Sequence, residues 1–273
     1  MVQGAWTTQS VAEEMKAAQD RCRQIQPFTS RFAGFANDAA YEVARLIHEA
    51  RMAEGAVPVG RKIGFTNRTI WAEYGVYEPI WAHVYDTTVR RLSNSSGACA
   101  LTRFADPRID PEIVFHFKSA PPVTDSPAEI VRYVDWIAHG IEIVQSHFPD
   151  WKFQAADTIA DSSLHATLLV GEPRTVEQLG PDLVTRLEKF TIALSCDGEE
   201  RDRGGGTNVL GSPLAAIAHL IGVLERQPNG KPLQAGELVT TGTLTRALTI
   251  RAGEKWTTQL YGLELPGISL VAE

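Results

Sequence analysis

Apolar and polar positions change period along this chain, and the changes mark its elements. Ser10-Val11-Ala12-Glu13 reads as a capping box, predicting a helix that runs toward Gln24 and is closed by Pro27. A second helix begins near Asn37 or Asp38, carries Ala40, Val43, Ala44 and Ile47 on one face, and ends at Gly55 and Pro58. From residue 61 the pattern turns to strands. Residues 61–65 form a short one, and residues 108–117 alternate cleanly. Ile109, Ile113, Phe115 and Phe117 share one face of that strand, and Asp110, Glu112 and His116 share the other. Ser126, Pro127 and Glu129 predict a helix start, and Ile130, Val134 and Ile137 continue it as an apolar stripe that Gly140 ends. A strand over 141–144 follows. Further strands are expected at 191–195, 238–241, 247–251, 257–261 and 268–271, with a glycine loop at 203–207. A helix opens at Ser212-Pro213, with Leu214, Ile217, Ile221 and Leu224 facing inward. Strands and helices do not alternate regularly, which disfavours a doubly wound parallel sheet. The pattern predicts an α+β fold, with a helical N-terminal portion over residues 1–60 continuous with residues 61–273.

Composition narrows the class. The chain has 273 residues, 44% hydrophobic and 22% charged, which excludes disorder, collagen-like repeats and a disulfide scaffold. Its 33 Asp+Glu exceed its 26 Lys+Arg, a formal charge of −7 that argues against nucleic acid and anionic membranes as partners. Three cysteines, Cys22, Cys99 and Cys196, form no CxxC pair. No signal peptide and no membrane-spanning apolar run are visible, so a cytoplasmic protein is expected.

Three acids stand out against that background. Asp110 and Glu112 project from the same face of one strand, where two like charges repel and desolvation is costly. A hard divalent cation, Mg²⁺ or Mn²⁺, relieves that cost; a solvated strand face is the plainer alternative. Glu142 lies between Ile141 and Ile143, an acid within an apolar strand, and either joins the same ion or pairs with a Lys or Arg. Lys62 is a candidate for binding a substrate carboxylate or for proton transfer. Asp157 and Asp161 suit a cap as well as a site. Thr241-Gly242-Thr243 offers hydroxyls and amides at a tight turn. Gly204-Gly205-Gly206 lacks the strand–GxGxxG–helix setting of a dinucleotide site and reads as a lid or flexible loop. His48, His139 and His219 are expected in helices, and His83 and His165 in turns beside the candidate motifs.

Several segments in order resemble the 2-keto-4-pentenoate hydratase family of the fumarylacetoacetate hydrolase superfamily, which includes 4-oxalocrotonate decarboxylase. They are residues 61–66 (RKIGFT), 107–113 (PRIDPEI), 142–146 (EIVQS), 150–152 (DWK), 157–161 (DTIAD) and 210–214 (LGSPL), within a likeness that starts at Ala39-Ala40-Tyr41 and reaches the final strands. The resemblance implies a mixed β-roll and an Mg²⁺ or Mn²⁺ ion held by Asp110, Glu112 and Glu142. It also points to Lys62, Asp157 and His165 as candidate catalytic residues, and to Trp81, Ser162, Thr241 and Thr243 as candidate substrate-binding residues. Homo-oligomerisation, and association with a related decarboxylase or hydratase, are implied in the same way. The chain departs from the family pattern at Asp110, where Glu is usual, at Ile80-Trp81, and at residues 162–166 (SSLHA). These departures imply a bulkier, more aromatic pocket. The expected activity is hydration of a 2-hydroxydienoic or 2-oxo-enoic acid through an ion-stabilised enolate. C–C hydrolysis of a β-diketone-type substrate, decarboxylation, and a non-catalytic partner role are the alternatives.

Overall fold

The structure, a computed structural model, describes residues 6–227 and 230–273. The chain opens with α1 (Thr8–Asp20), α2 (Phe28–Arg31) and α3 (Asn37–Ala53). The first helix begins earlier than its expected capping box. Thr7 is its N-cap, and Thr7 and Ser10 satisfy each other's backbone amides, so Ser10 sits inside the first turn. Val11, Met15, Phe28, Val43 and Ile47 pack with Ile80, Phe148 and Ile159 in one buried cluster, which fixes the helices on the rest of the molecule.

The remaining chain builds two sheets. Its elements are β1 (Pro58–Gly64), α4 (Trp71–Tyr74), β2 (Ile80–Tyr85), β3 (Val89–Arg91), β4 (Ser96–Cys99), β5 (Arg108–Phe117), α5 (Pro127–Ile130) and β6 (Val134–Val144). Then come α6 (Ala155–Ala160), β7 (His165–Val170), β8 (Arg174–Thr175), α7 (Val176–Leu179), α8 (Leu183–Lys189), β9 (Thr191–Cys196) and β10 (Glu199–Gly205). The last elements are α9 (Pro213–Arg226), β11 (Leu238–Thr240), β12 (Leu248–Thr249), β13 (Lys255–Tyr261) and β14 (Ser269–Ala272). The larger sheet runs β2-β1-β11-β5-β6-β7-β3, with β12 also on β5 and β8 also on β6; the smaller runs β10-β9-β13-β14-β4. Most pairs are antiparallel, and β1/β11, β3/β7 and β4/β14 are parallel, a mixed β-roll rather than a doubly wound sheet. None of the described helices is long and apolar enough to cross a membrane.

The odd-numbered face of β5 packs inward. Ile113, Phe115 and Phe117 meet the inner side of α9, including Leu214 and Ile217, while Ile109 meets Leu194 and Leu270 of the smaller sheet. The even-numbered face is left for the acids.

The expected helix over 126–139 is mostly strand. Ser126 does cap and Pro127 does start a helix, but it lasts one turn; a 3-10 turn follows, and from Val134 the backbone is extended. A bulge at the start of β6 explains the misleading period. Phe115 pairs with Ile137 but Phe117 with Val134, so an extra residue puts Val134 and Ile137, three apart, on one face. His139 consequently lies in a strand, fully buried. Its Nδ1 is 2.9 Å from the Glu112 carbonyl, and its Nε2 is 2.8 Å from the Thr258 hydroxyl of the smaller sheet. His83 likewise falls within β2 and His165 opens β7. The expected strand at 247–251 shrinks to Leu248–Thr249.

The three glycines at 204–206 form no lid. Gly204 and Gly205 end β10, and Gly206 begins a 3-10 turn. A Cβ on Gly204 would lie 1.8 Å from the Leu244 carbonyl oxygen, and one on Gly206 would lie 1.9 Å from that of Leu187. These are backbone contacts that cannot yield. Gly204→Ala is therefore expected to cost at least ~2 kcal/mol and to lower the melting temperature by roughly 5 °C or more. An unchanged melting curve would show that the segment is slack.

Candidate metal centre and active site

Strand pairing brings the three acids together. In the antiparallel β5/β6 pair, Asp110 stands directly opposite Glu142 and Glu112 opposite Gly140, so all three carboxylates rise from the same face. Glu142 and Glu112 are essentially inaccessible, and Asp110 is buried too. One oxygen from each lies within 4.8 Å of the others. Lys62 enters from β1, two strands from β5 across β11, and its Nζ is 2.9 Å from Glu142 Oε2.

Each acid has its own support. His165 Nδ1 lies 2.6 Å from Glu142 Oε1, and its Nε2 lies 2.8 Å from the Thr88 hydroxyl, so the ring braces Glu142 from behind. The Thr240 hydroxyl and the Gly242 amide, at 2.7 Å for the latter, both donate to Glu112 Oε2. Gly242 has φ +95°, and a Cβ there would meet the Thr66 hydroxyl at 2.0 Å, so only glycine lets this turn wrap the carboxylate. The turn for which the resemblance implies substrate binding thus holds the protein's own Glu112 through Gly242. Asp110 Oδ1 and Glu112 Oε1 are buried without any hydrogen-bond partner.

Charge follows from this crowding. Burial pushes Asp110 up, to about 8, and the Glu142 charge adds to it, against opposing pulls from Thr243 and Lys62. Burial also holds Glu112 well above the carboxylate range, reinforced by the charges of Glu142 and Asp110. Burial works against the Glu142 carboxylate as well, but Lys62 and His165 outweigh it and hold its pKa below the usual value. Burial opposes the Lys62 charge, yet Glu142, Glu112 and Asp110 together keep it protonated. One lysine therefore balances one carboxylate, and two remain uncompensated when ionised. Two orphaned, buried oxygens beside an ionised third fit a hard divalent cation, for which carboxylate oxygen is the preferred donor.

The cluster opens into a pocket. Lys62, Asp110, Glu112, Ser163 and Thr243 line its inner end. Other sequence candidates lie elsewhere. Asp157 is fully buried at the start of α6, where its carboxylate accepts hydrogen bonds from the Gln154 amide at 2.9 Å and from the Thr29 amide and hydroxyl at 3.0 and 2.6 Å. It reads as a cap that ties α2 down. Ser162 faces α1, within 3.2 Å of the Gln19 amide nitrogen, and its neighbour Ser163 takes the pocket position with a buried, unpartnered hydroxyl. The Thr241 hydroxyl donates to the Ile113 carbonyl at 3.2 Å. Trp81 stacks on Tyr41 and donates to Gln227 at 3.0 Å, outside the pocket lining.

Sequence reasoning also missed the buried His147–Asp161 pair, 2.8 Å apart, which anchors Gln19 of α1. It missed the aromatic wall formed by Phe65, Tyr74, Trp151 and Phe153 as well. The available signals were an aromatic next to Gly64 and a Trp within a quoted motif, neither of which reveals that the rings meet.

No family model matches the chain. It is 30% identical to 2-keto-4-pentenoate hydratase 2 of Dechloromonas aromatica (strain RCB), over 93% of this chain and 94% of that protein. It is 30% identical to 4-oxalocrotonate decarboxylase of a Pseudomonas species, over 78% of this chain and 79% of that protein. Its fold is similar to the solved structure of 4-oxalocrotonate decarboxylase from Pseudomonas putida G7 complexed with magnesium and adipate. The TM-score is 0.86 at 23% identity, over 97% of both chains.

Asp157→Ala is expected to lower the unfolding free energy by about 1–3 kcal/mol in a denaturant titration, because it removes a buried carboxylate that accepts three hydrogen bonds. A variant of unchanged stability with a large loss of kcat would return Asp157 to the chemistry.

Proposed function

The chain belongs to the 2-keto-4-pentenoate hydratase family of the fumarylacetoacetate hydrolase superfamily, and on that premise we propose that it is a divalent-metal-dependent hydro-lyase acting on 2-hydroxydienoic acids. The observation that carries this reading is the buried Asp110–Glu112–Glu142 cluster, with two unpartnered oxygens and Lys62 as its one adjacent cation. Asp110, Glu112 and Glu142 would hold Mg²⁺ or Mn²⁺. Bound there, the ion supplies Lewis-acid stabilisation of negative charge on the substrate's C2 oxygen.

The chain's own groups do the rest. Lys62 Nζ, kept protonated by its acid neighbours, donates to the substrate's carboxylate or C2 oxygen and offsets charge as the enolate develops. His165, reached only through Glu142, is a positioning residue that holds Glu142 Oε1 in one orientation. The free Ser163 hydroxyl is placed to orient the attacking water. Thr243 lines the same end. The substrate gains a proton at its far carbon, the enol becomes a ketone, and water adds its oxygen at C4 and its hydrogen at C3. The product is a 4-hydroxy-2-oxo acid that retains every carbon. The adjoining apolar wall lowers the local polarity and so strengthens the charge interactions at the acid cluster. We place this reaction in the cytoplasm, in keeping with three unpaired cysteines.

The decarboxylase relative makes vinylogous decarboxylation the second reading. That reaction needs a second carboxylate at the substrate's far end. Lys62, already paired to Glu142, is the only cation among the pocket-lining residues, which favours hydration.

Purified protein with Mg²⁺ or Mn²⁺ is expected to bleach the conjugated absorbance of a 2-hydroxydienoate and yield a product heavier by one water. Excess EDTA abolishes the activity. Glu112→Gln reduces kcat by about 10³-fold or more, and removes a Mg²⁺-induced rise in melting temperature of roughly 5–10 °C at a hundredfold excess over Kd. Full activity in EDTA, release of CO₂, or a cleaved carbon chain would each refute the hydratase reading.

A further inference from the structure

Ser163 reaches the pocket on a turn that the chain would not form unaided. Ser162 (φ +50°), Ser163 (φ +54°) and Leu164 (φ +64°) are three consecutive non-glycine residues in the left-handed region. An L-residue there crowds its Cβ against the following carbonyl oxygen, so a run of three persists only where surrounding contacts enforce it. The turn joins α6 to β7, and the Leu164 amide closes it by donating to the Asp161 carbonyl at 2.8 Å. It leaves the Ser163 hydroxyl buried and unpartnered, in the lining shared with Lys62, Asp110 and Glu112.

The enforcing contacts converge on Asp161, the residue just before the run. Its two carboxylate oxygens lie 2.8 and 2.9 Å from His147 Nδ1, and one accepts from the His147 amide at 3.3 Å. Gln19 of α1 donates to Asp161 Oδ1 at 3.1 Å and lies within 3.2 Å of the Ser162 hydroxyl. Gln19 in turn accepts from Arg51 of α3 at 3.1 Å. His147 and Asp161 are both buried, and His147 Nε2 has no partner, so the ring's polar contact is with Asp161 alone. None of Gln19, His147 and Asp161 lines the pocket. The acids have other supports: Lys62 and His165 for Glu142, Thr240 and Gly242 for Glu112. His165, next after the turn, is itself fixed by Thr88 and by pairing with Val144 of β6. The turn is therefore what this network controls.

We infer that Gln19, His147 and Asp161 are positioning residues for the reaction: they clamp the 162–164 turn in its left-handed form and so aim the Ser163 hydroxyl into the pocket. The inference rests on the hydratase reading for the part Ser163 plays in orienting water. When the clamp is released, the strained backbone relaxes and carries the hydroxyl away, while the acid cluster keeps its geometry. A misplacement of about 1 Å is enough to cost up to roughly 100-fold in rate. Through Gln19 the helical N-terminal portion contributes to turnover as well as to stability.

The test is a double-mutant cycle in the Mg²⁺-loaded protein. Asp161→Asn and the milder Gln19→Leu are each measured alone and combined with Ser163→Ala. Alone, Asp161→Asn is expected to lower kcat by about 10-fold or more and Gln19→Leu by about threefold or more, with the Kd for Mg²⁺ unchanged within about twofold. In the Ser163→Ala background neither lowers kcat further. A merely structural role would lower kcat by the same factor in both backgrounds. Losses that multiply with that of Ser163→Ala, or that come with weakened Mg²⁺ binding, overturn the inference. Gln19→Leu, on a partly exposed position of α1, carries the cycle where Asp161→Asn does not fold. Hydrogen exchange at the Leu164 amide reads the clamp without the chemistry. Faster exchange in Gln19→Leu, with no dienoate hydrated by the unsubstituted protein, sustains the clamp and refutes the hydratase reading. Unchanged exchange refutes the clamp whatever the activity.

Discussion

Everything at the candidate site depends on one register. Asp110 on β5 faces Glu142 on β6, and with Glu112 on the same strand this buries three carboxylates together at the inner end of one pocket. Left as three anions, the group would be intolerable. The protein compensates one charge with Lys62 and leaves two oxygens bare, a state that a divalent cation resolves. The odd-numbered residues of β5 fix this register from the other side. A slip of one residue would turn Ile113 and Phe115 out of the core and the acids into it, so core packing and site assembly are specified by the same alternation.

Around that register the supports are layered. His165 and Thr88 hold Glu142, and Thr240 with Gly242 holds Glu112. Asp157 and the His147–Asp161 pair act at a distance, tying α2 and α1 to the segments on either side of the pocket. The helical N-terminal portion thereby secures the 162–164 turn, which carries Ser163 into the site. The pocket is lined by polar groups at the acid cluster and by aromatic rings beyond it.

Much of the site was legible because its signal is local. A strand that alternates strictly and still carries two acids between buried residues announces them, and an acid between Ile141 and Ile143 announces itself. Family resemblance supplied the grouping that spacing alone left open. The rest was hidden for identifiable reasons. The β6 bulge gave Val134 and Ile137 a helical spacing within a strand. Ser162 and Ser163 are indistinguishable by type, and only a run of left-handed backbone decides which one points inward. The glycines at 204–206 looked like slack because sequence does not reveal the carbonyls packed against them.

The sequence by itself determined the α+β class, the core face of β5, and the placing of Asp110, Glu112, Glu142 and Lys62 on strands. Each follows from period or residue type within a few neighbours. Only the tertiary structure decided that Thr241-Gly242-Thr243 wraps Glu112, that Asp157 is a cap, that Trp81 stands apart, and that Phe65, Tyr74, Trp151 and Phe153 close into one wall. Those facts depend on segments as much as 130 residues apart meeting in space with fixed side-chain directions. No local pattern encodes such a meeting, because it is set by how the whole β-roll closes.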